Sequence, residues 1–131
     1  MLKVLLLGFA MMSSLNGFAQ QTPGDCNRFK TGKFSYTDSS GAIVNITRTK
    51  HRQTEKNTKT GLLTKLKISW PDECEYTLTQ IWANSKKQRK NNRRTQTIRI
   101  TKTDGNSYEY ACNCKDPNQS KISGIVIKKN D

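Results

Sequence analysis

Apolar and polar residues alternate along much of the chain from residue 33 onward, the period-2 signature of half-buried strands. Lys33–Tyr36 sets Phe34 and Tyr36 on one face, and Val44–Thr47 does the same with Val44 and Ile46. The clearest run is Leu62–Trp70, where Leu62, Leu66, Ile68 and Trp70 face one way and Lys65, Lys67 and Ser69 the other. Cys74, Tyr76 and Leu78 continue the pattern, followed by Ile98 with Ile100, and by Tyr108, Tyr110 and Cys112. Near the end, Gly124–Lys129 offers Ile125 and Ile127 as the apolar face of a last strand.

Turn chemistry separates these runs. Thr37–Gly41 is a polar turn, Pro71 suits the second position of a tight turn ahead of Asp72, and Asp104-Gly105 is a strong hairpin signal. No segment keeps a helical period over a useful length. The fold class expected is all-β: an antiparallel meander of about six or seven strands with one face on the core. Curling into a small barrel would remove the exposed edges of such a sheet. No repeat or internal linker divides residues 20–131, which read as a single β domain.

Residues 1–19 read as a cleaved signal peptide. Lys3 supplies the positive start, Val4–Met12 the apolar core, and Gly17 and Ala19 the small residues that a signal peptidase requires. The apolar run is shorter than the roughly 20 residues that span a bilayer. Cys26 follows Thr22-Pro23-Gly24-Asp25, which lacks the small apolar residues that precede a lipidated cysteine. The expectation is an exported protein, periplasmic or secreted, without a lipid anchor.

Export changes how the cysteines and charges are read. Cleavage after Ala19 leaves 112 of the 131 residues, and only 33% of the whole chain is hydrophobic, so the core must be thin. Cys26, Cys74, Cys112 and Cys114 all follow the cleavage site and favour two disulfides that supplement that core, in any of three pairings. Of the 23 basic residues only Lys3 leaves with the leader, against 10 acidic ones, so the mature chain keeps a net charge of +12. Such an excess favours anionic partners: nucleic acid, an acidic glycan or an anionic envelope surface.

The densest charge lies in Ser85–Thr95, where Lys86, Lys87, Arg89, Lys90, Arg93 and Arg94 crowd a connection between two strands. Asn91 and Asn92 place its turn, so the expectation is an exposed hairpin with cations on both limbs. It reads either as a polyanion-binding site or, more plainly, as a solvated loop.

Other chemistry finds little material. Cys112 and Cys114, two apart beside Lys115, carry a thiol redox reading, against the plainer one of structural bridges. Asp72, Glu73 and Glu75 form the one acidic cluster, two of them in a turn, and read as solvated acids rather than an acid–base pair. His51 is the single histidine, with no nucleophile at an informative spacing. Tyr36, Tyr76, Tyr108, Tyr110, Trp70 and Trp82 would form a stacking platform if exposed, but most fall on the core face, and the alternation slips at Ile81–Trp82. The sequence therefore points to a non-catalytic binding or envelope-associated protein, with no cofactor and no metal.

Four stretches, Cys26–Phe34, Lys67–Leu78, Ser107–Cys112 and Ser123–Asp131, resemble a group of small exported proteins of Bacteroidota. That group pairs a cysteine ahead of Phe-Lys-Thr-Gly with another inside a Trp-containing Asp-Cys-Glu-Tyr motif. The resemblance implies a secreted or lipid-anchored β domain and a disulfide between Cys26 and Cys74, stapling the start of the first strand to the start of the fourth. Some members bear the name DNA topoisomerase IV. That activity needs an ATPase module and a cleaving tyrosine supported by metal-binding acids, for which a 112-residue exported chain has no room. The Cys112-Asn113-Cys114 pair and the absent lipidation cysteine depart from the group's pattern.

Overall fold

The structure, a computed structural model, describes residues 24–112 and 122–130. The leader and its cleavage site, with Cys114, lie outside the described residues. The fold is all-β, an antiparallel meander, and it closes on itself as a barrel. Its strands are β1 (Gly32–Thr37), β2 (Ile43–Arg48), β3 (Arg52–Asn57), β4 (Leu63–Asp72), β5 (Glu75–Ala83), β6 (Thr95–Asp104), β7 (Ser107–Cys112) and β8 (Ile122–Lys128). Each pairs with the next, and β8 returns to β1 through Phe34↔Lys128 and Ser35↔Ile127.

The expected alternation holds for most strands. Phe34, Val44, Ile46, Leu66, Ile68, Tyr76, Leu78, Ile98, Ile100, Tyr108 and Cys112 all point inward and are buried. Three expectations are corrected. Among the described residues there are eight strands; β3 escapes the alternation because it has no apolar residue, and its inward positions are Gln53, Glu55 and Asn57, opposite Arg48, Ile46 and Val44. On β8 the inward residue is Val126, at 3% exposure, while Ile125 and Ile127 face out, at 54% and 52%. Gly124 sets this register, because Tyr110 lies opposite it and a Cβ there would come within 2.8 Å of the Tyr110 hydroxyl. Finally, Pro71 lies inside β4, next to an irregularity between Ser69 and Asp72, and the turn passes to Glu73 and Cys74. Proline tolerates that place because an irregular ladder leaves its missing N–H unneeded.

The slip at Ile81–Trp82 is a bulge. Leu66 pairs with Gln80 but Lys65 with Trp82, so Ile81 is the extra residue, and both Ile81 and Trp82 are exposed. Ala83 then turns back inside, fully buried. Gly105 and Asn106 make the β6–β7 turn, Gly105 at φ +55°, where glycine carries no steric penalty.

Up-and-down connectivity gives the barrel two unlike ends. The connections 49–51, 73–74 and 105–106 form one end, the base, together with the chain that enters β1. There a short 3-10 helix, Asn27–Phe29, lays Phe29 across the opening, fully buried and edge-on to Tyr108 at 5.0 Å. Cys26, just ahead of it, bonds to Cys74 with Cα atoms 5.3 Å apart. The bridge thus joins the plug to the β4–β5 turn rather than one strand start to another, and such bonds persist in oxidising compartments. The opposite end carries the connections 38–42, 58–62 and 84–94. Among the described residues no helix is long and apolar enough to cross a membrane.

Candidate ligand-binding cavity

Eight strands enclose an interior just wide enough to be filled by side chains or to hold one small molecule. In this barrel the two outcomes share the space. The half near the base is filled, and its filling is built around Arg48. This residue continues the inward alternation Val44, Ile46, Arg48, which buries its guanidinium at 2% exposure. No carboxylate pairs with it; among the described residues the ion pair is Arg99 with Glu75. Its Nε donates to Gln53 Oε1 (2.8 Å), Nη1 to the Phe29 carbonyl (2.7 Å) and Nη2 to the Tyr108 hydroxyl (3.1 Å). Aromatic faces surround the rest: Phe34 at 4.6 Å, Tyr76 at 4.8 Å and Trp70 at 5.8 Å from the guanidinium carbon.

Removing a charge from water is costly, and hydrogen bonds together with aromatic quadrupoles are what offset it here. Burial pulls the Arg48 pKa down, but the oxygens of Tyr108 and Tyr76 outweigh that and raise it. The guanidinium remains charged, as arginine does. The Tyr76 and Tyr108 hydroxyls meet at 2.9 Å, and burial pushes the Tyr76 phenol up, so it stays neutral.

Above this layer the filling stops. A cavity of about 660 Å³ runs upward from Gln53 and Tyr76 to a mouth near Asp38, Ser39, Gln96 and Ser123. Its apolar wall comes from Ile46, Leu78, Ile98 and Val126, its polar wall from Tyr36, Tyr110, Gln53 and Glu55. Gln53 divides the plug from the cavity: its Oε1 accepts from Arg48 while its Nε2 donates to Glu55 Oε1 at 2.8 Å. The amide therefore keeps the Arg48 donors away from the Glu55 carboxylate. Burial pushes the Glu55 carboxyl above the ordinary carboxylate range, against the Gln53 hydrogen bond and the Arg48 charge, which pull it down. Burial, with the nearby Glu55 charge adding to it, also raises the phenols of Tyr36 and Tyr110.

At the mouth, Asp38 is held by its own turn. Its Oδ1 accepts from the Ser40 amide, the Ser40 hydroxyl and the Ala42 amide, and its Oδ2 from Asn57. These bonds, the Ser40 hydroxyl first, hold its carboxyl below the ordinary range.

The basic segment is the connection between antiparallel β5 and β6, exposed and at this same end of the barrel, and it is folded on itself. Residues Gln88–Asn91 form a 3-10 turn, and Gln80 Nε2 ties it down by donating to the Gln88 carbonyl (2.8 Å) and to Asn92 Oδ1 (3.1 Å). Arg89 packs back on the barrel: its Nε donates to the Ala83 carbonyl (2.8 Å) and its guanidinium carbon lies 5.6 Å from the Trp82 ring. Lys86, Lys87, Arg89, Lys90, Arg93 and Arg94 are exposed. None of the six cations lines the cavity.

The remaining sites are dispersed. Cys112 is inward, buried and disulfide-bonded. Asp72, Glu73 and Glu75 lie at the base, where Glu75 pairs with Arg99 at 2.8 Å and Glu73 accepts from Asn27. His51 is exposed in the β2–β3 turn. Five of the six aromatics belong to or pack against the core, and Trp82 lies outside under Lys65 and Arg89. Among the described residues no three His, Cys, Asp or Glu side chains gather as a metal site. Comparison with known proteins gives no match to a family model, a curated protein or a solved structure.

Sequence reading missed Arg48, Gln53 and Glu55. Arg48 lies two residues past Ile46 and so shares its face, a signal that was present. For β3 the cue was two turn segments, 49–51 and 58–62, bracketing a stretch of strand length.

Two consequences follow for stability. Arg48→Ala takes the donor away from the Phe29 carbonyl and Gln53 Oε1 and leaves the Tyr108 hydroxyl with Tyr76 alone, around a void, and chemical denaturation should show a loss of about 3–5 kcal/mol; a loss below about 1 kcal/mol would show that the guanidinium does not hold the base. Glu55 binds its proton more tightly in the folded chain than in the unfolded one. Its contribution is therefore complete below the unfolded pKa of about 4.3 and is lost as pH rises through the raised value. Glu55→Gln cannot lose it, so the stability difference between variant and wild type should move in the variant's favour from about pH 4 to about pH 8. Asp38, Arg48, Tyr36 and Tyr110 are common to both proteins, and parallel pH curves would contradict the assignment.

Proposed function

We propose that this protein is a non-catalytic binding protein of the periplasm or cell exterior that carries a small amphipathic molecule inside its barrel. The observation that carries the reading is the half-filled interior: a base sealed by Phe29 and the Arg48 layer, and above it a cavity of about 660 Å³ open at the other end. That volume lies within the roughly 300–1,000 Å³ of small-molecule sites, and the wall mixes apolar and polar side chains, which suits an amphipathic guest. A folded chain gains nothing from leaving such a space open, since filling it would add dispersion contacts.

Neutral N-phenylnaphthylamine, whose fluorescence rises in apolar surroundings, should bind with one site per chain. Val126→Phe, which places a larger ring in the cavity, should weaken that binding at least about tenfold while the thermal midpoint is held or raised. Binding unaffected by Val126→Phe would place the dye elsewhere and defeat the reading.

A second reading is favoured by the loop. Six cations, Lys86, Lys87, Arg89, Lys90, Arg93 and Arg94, stand exposed on a loop that Gln80 holds in shape, so a polyanion would meet an ordered positive surface. Heparin and single-stranded DNA should then bind with an affinity that falls steeply with salt. Replacing Lys86, Lys87, Lys90 and Arg93 with alanine should flatten that slope by about one unit for each phosphate no longer neutralised. An unchanged slope, or no binding at low salt, would remove the loop from consideration.

A further inference from the structure

The charges that line the cavity run opposite to those on the outside of the barrel. The chain carries 23 basic and 10 acidic residues, yet among the described residues the cavity wall includes two carboxylates, Asp38 and Glu55, and no lysine or arginine. Taking the cavity reading above as its basis, we propose that the ligand is an organic ammonium with an apolar tail, its nitrogen held at the Glu55 carboxylate beside Tyr36 and Tyr110.

Three features of the site carry this assignment. Glu55 stands on the cavity wall and accepts one hydrogen bond from a described side chain. One oxygen accepts from Gln53, and the nearest buried cation, Arg48, spends its donors on Gln53, Phe29 and Tyr108 instead. A half-buried carboxylate without a cation is unfavourable, and an ammonium donating to it would supply both the charge and the missing hydrogen bonds. The neighbouring side chains suit the same guest. Tyr36 and Tyr110 line the same cavity as Glu55, and a tyrosine ring attracts a cation through its face while its hydroxyl can accept from an N–H. Tyr110 is further fixed by its packing on Gly124, where a Cβ would lie 3.1 Å from two of its ring atoms. Finally, Asp38 holds a fixed negative charge at the mouth, ionised by four hydrogen bonds from its own turn and from Asn57, so a cation meets attraction on the way in.

The opposite choice, an anionic guest, fails on the same geometry. A carboxylate or phosphate would have to pass Asp38 and settle against Glu55, with no lysine or arginine among the described residues of the wall to receive it. The positive exterior repels an ammonium only within a screening length of about 8 Å at physiological salt. Inside, the apolar tail would rest on Ile46, Leu78, Ile98 and Val126.

Phenylbutylamine, phenylbutanol and phenylbutyrate share one apolar body and differ in the head group, so calorimetric titration of the full mature chain with each isolates the effect of charge. The amine should bind about tenfold or more tightly than the alcohol, and the carboxylate most weakly. Glu55→Gln, with its fold checked by circular dichroism, should erase the amine's advantage over the alcohol. The wild-type ratio decides by itself, so the test does not depend on the variant folding. Equal binding of amine and alcohol, or a preference for the carboxylate, overturns the ammonium assignment and leaves the cavity reading in place. If none of the three binds, both readings fall.

Discussion

A single buried cation organises this barrel. Arg48 must be compensated without a carboxylate, and everything used to compensate it comes from a different part of the chain: the Phe29 carbonyl from the plug, Gln53 from β3, Tyr108 from β7, and the rings of Phe34, Trp70 and Tyr76 from β1, β4 and β5. No two of these groups can leave without exposing the charge to an unsatisfied interior. The guanidinium therefore ties five strands and the N-terminal plug into one arrangement, and the Cys26–Cys74 bridge holds the plug where Arg48 needs its carbonyl. Satisfaction at the base is nearly complete; among the described residues the Trp70 indole N–H is the buried side-chain polar atom left without a partner.

The same layer explains why the upper half stays open. Gln53 turns its carbonyl toward Arg48 and its amide nitrogen toward Glu55, so the polar chain continues upward into space that apolar side chains would otherwise occupy. A strand with Gln53, Glu55 and Asn57 facing inward is a poor choice for a core and a workable one for the wall of a binding site. Stability is thereby concentrated at the base, while the wall keeps groups whose hydrogen bonding is incomplete. The exterior is basic, whereas the charged side chains among the described residues of the cavity wall are acidic, and the loop that carries the cations contributes nothing to the cavity.

How much of this was legible in the sequence depended on what distinguishes inside from outside at each residue. Where an apolar residue alternates with a polar one, as in Leu66–Trp70 or Tyr76–Leu78, period alone settles the facing. Where both faces are apolar, as at Ile125, Val126 and Ile127, period says nothing, and the choice falls to Tyr110 packing on Gly124 from the neighbouring strand. Where both faces are polar, as in Arg52–Asn57, the strand is invisible, because a buried glutamine differs from an exposed one only through the partner it meets. The basic loop was visible as charge, but its shape depends on the Gln80 amide reaching the Gln88 carbonyl, a contact set by tertiary structure. The cavity falls in the same class, since it is defined by what the side chains of eight strands fail to fill.

The register of β8 and β2 provides the most direct test of the central claim that the barrel interior is the binding site. Ile46, Ile98 and Val126 carry methyl groups on the inside, while Ile43, Ile125 and Ile127 carry theirs on the outside, often only one residue away in sequence. Methyl-resolved NMR during titration with phenylbutylamine separates the two sets. The account predicts that the resonances of Ile46, Ile98 and Val126 shift together and saturate at one equivalent, with Ile43, Ile125 and Ile127 unmoved. Shifts confined to the outer set, or to Ile81 beside the basic loop, would show that the ligand binds the barrel's surface and not its interior.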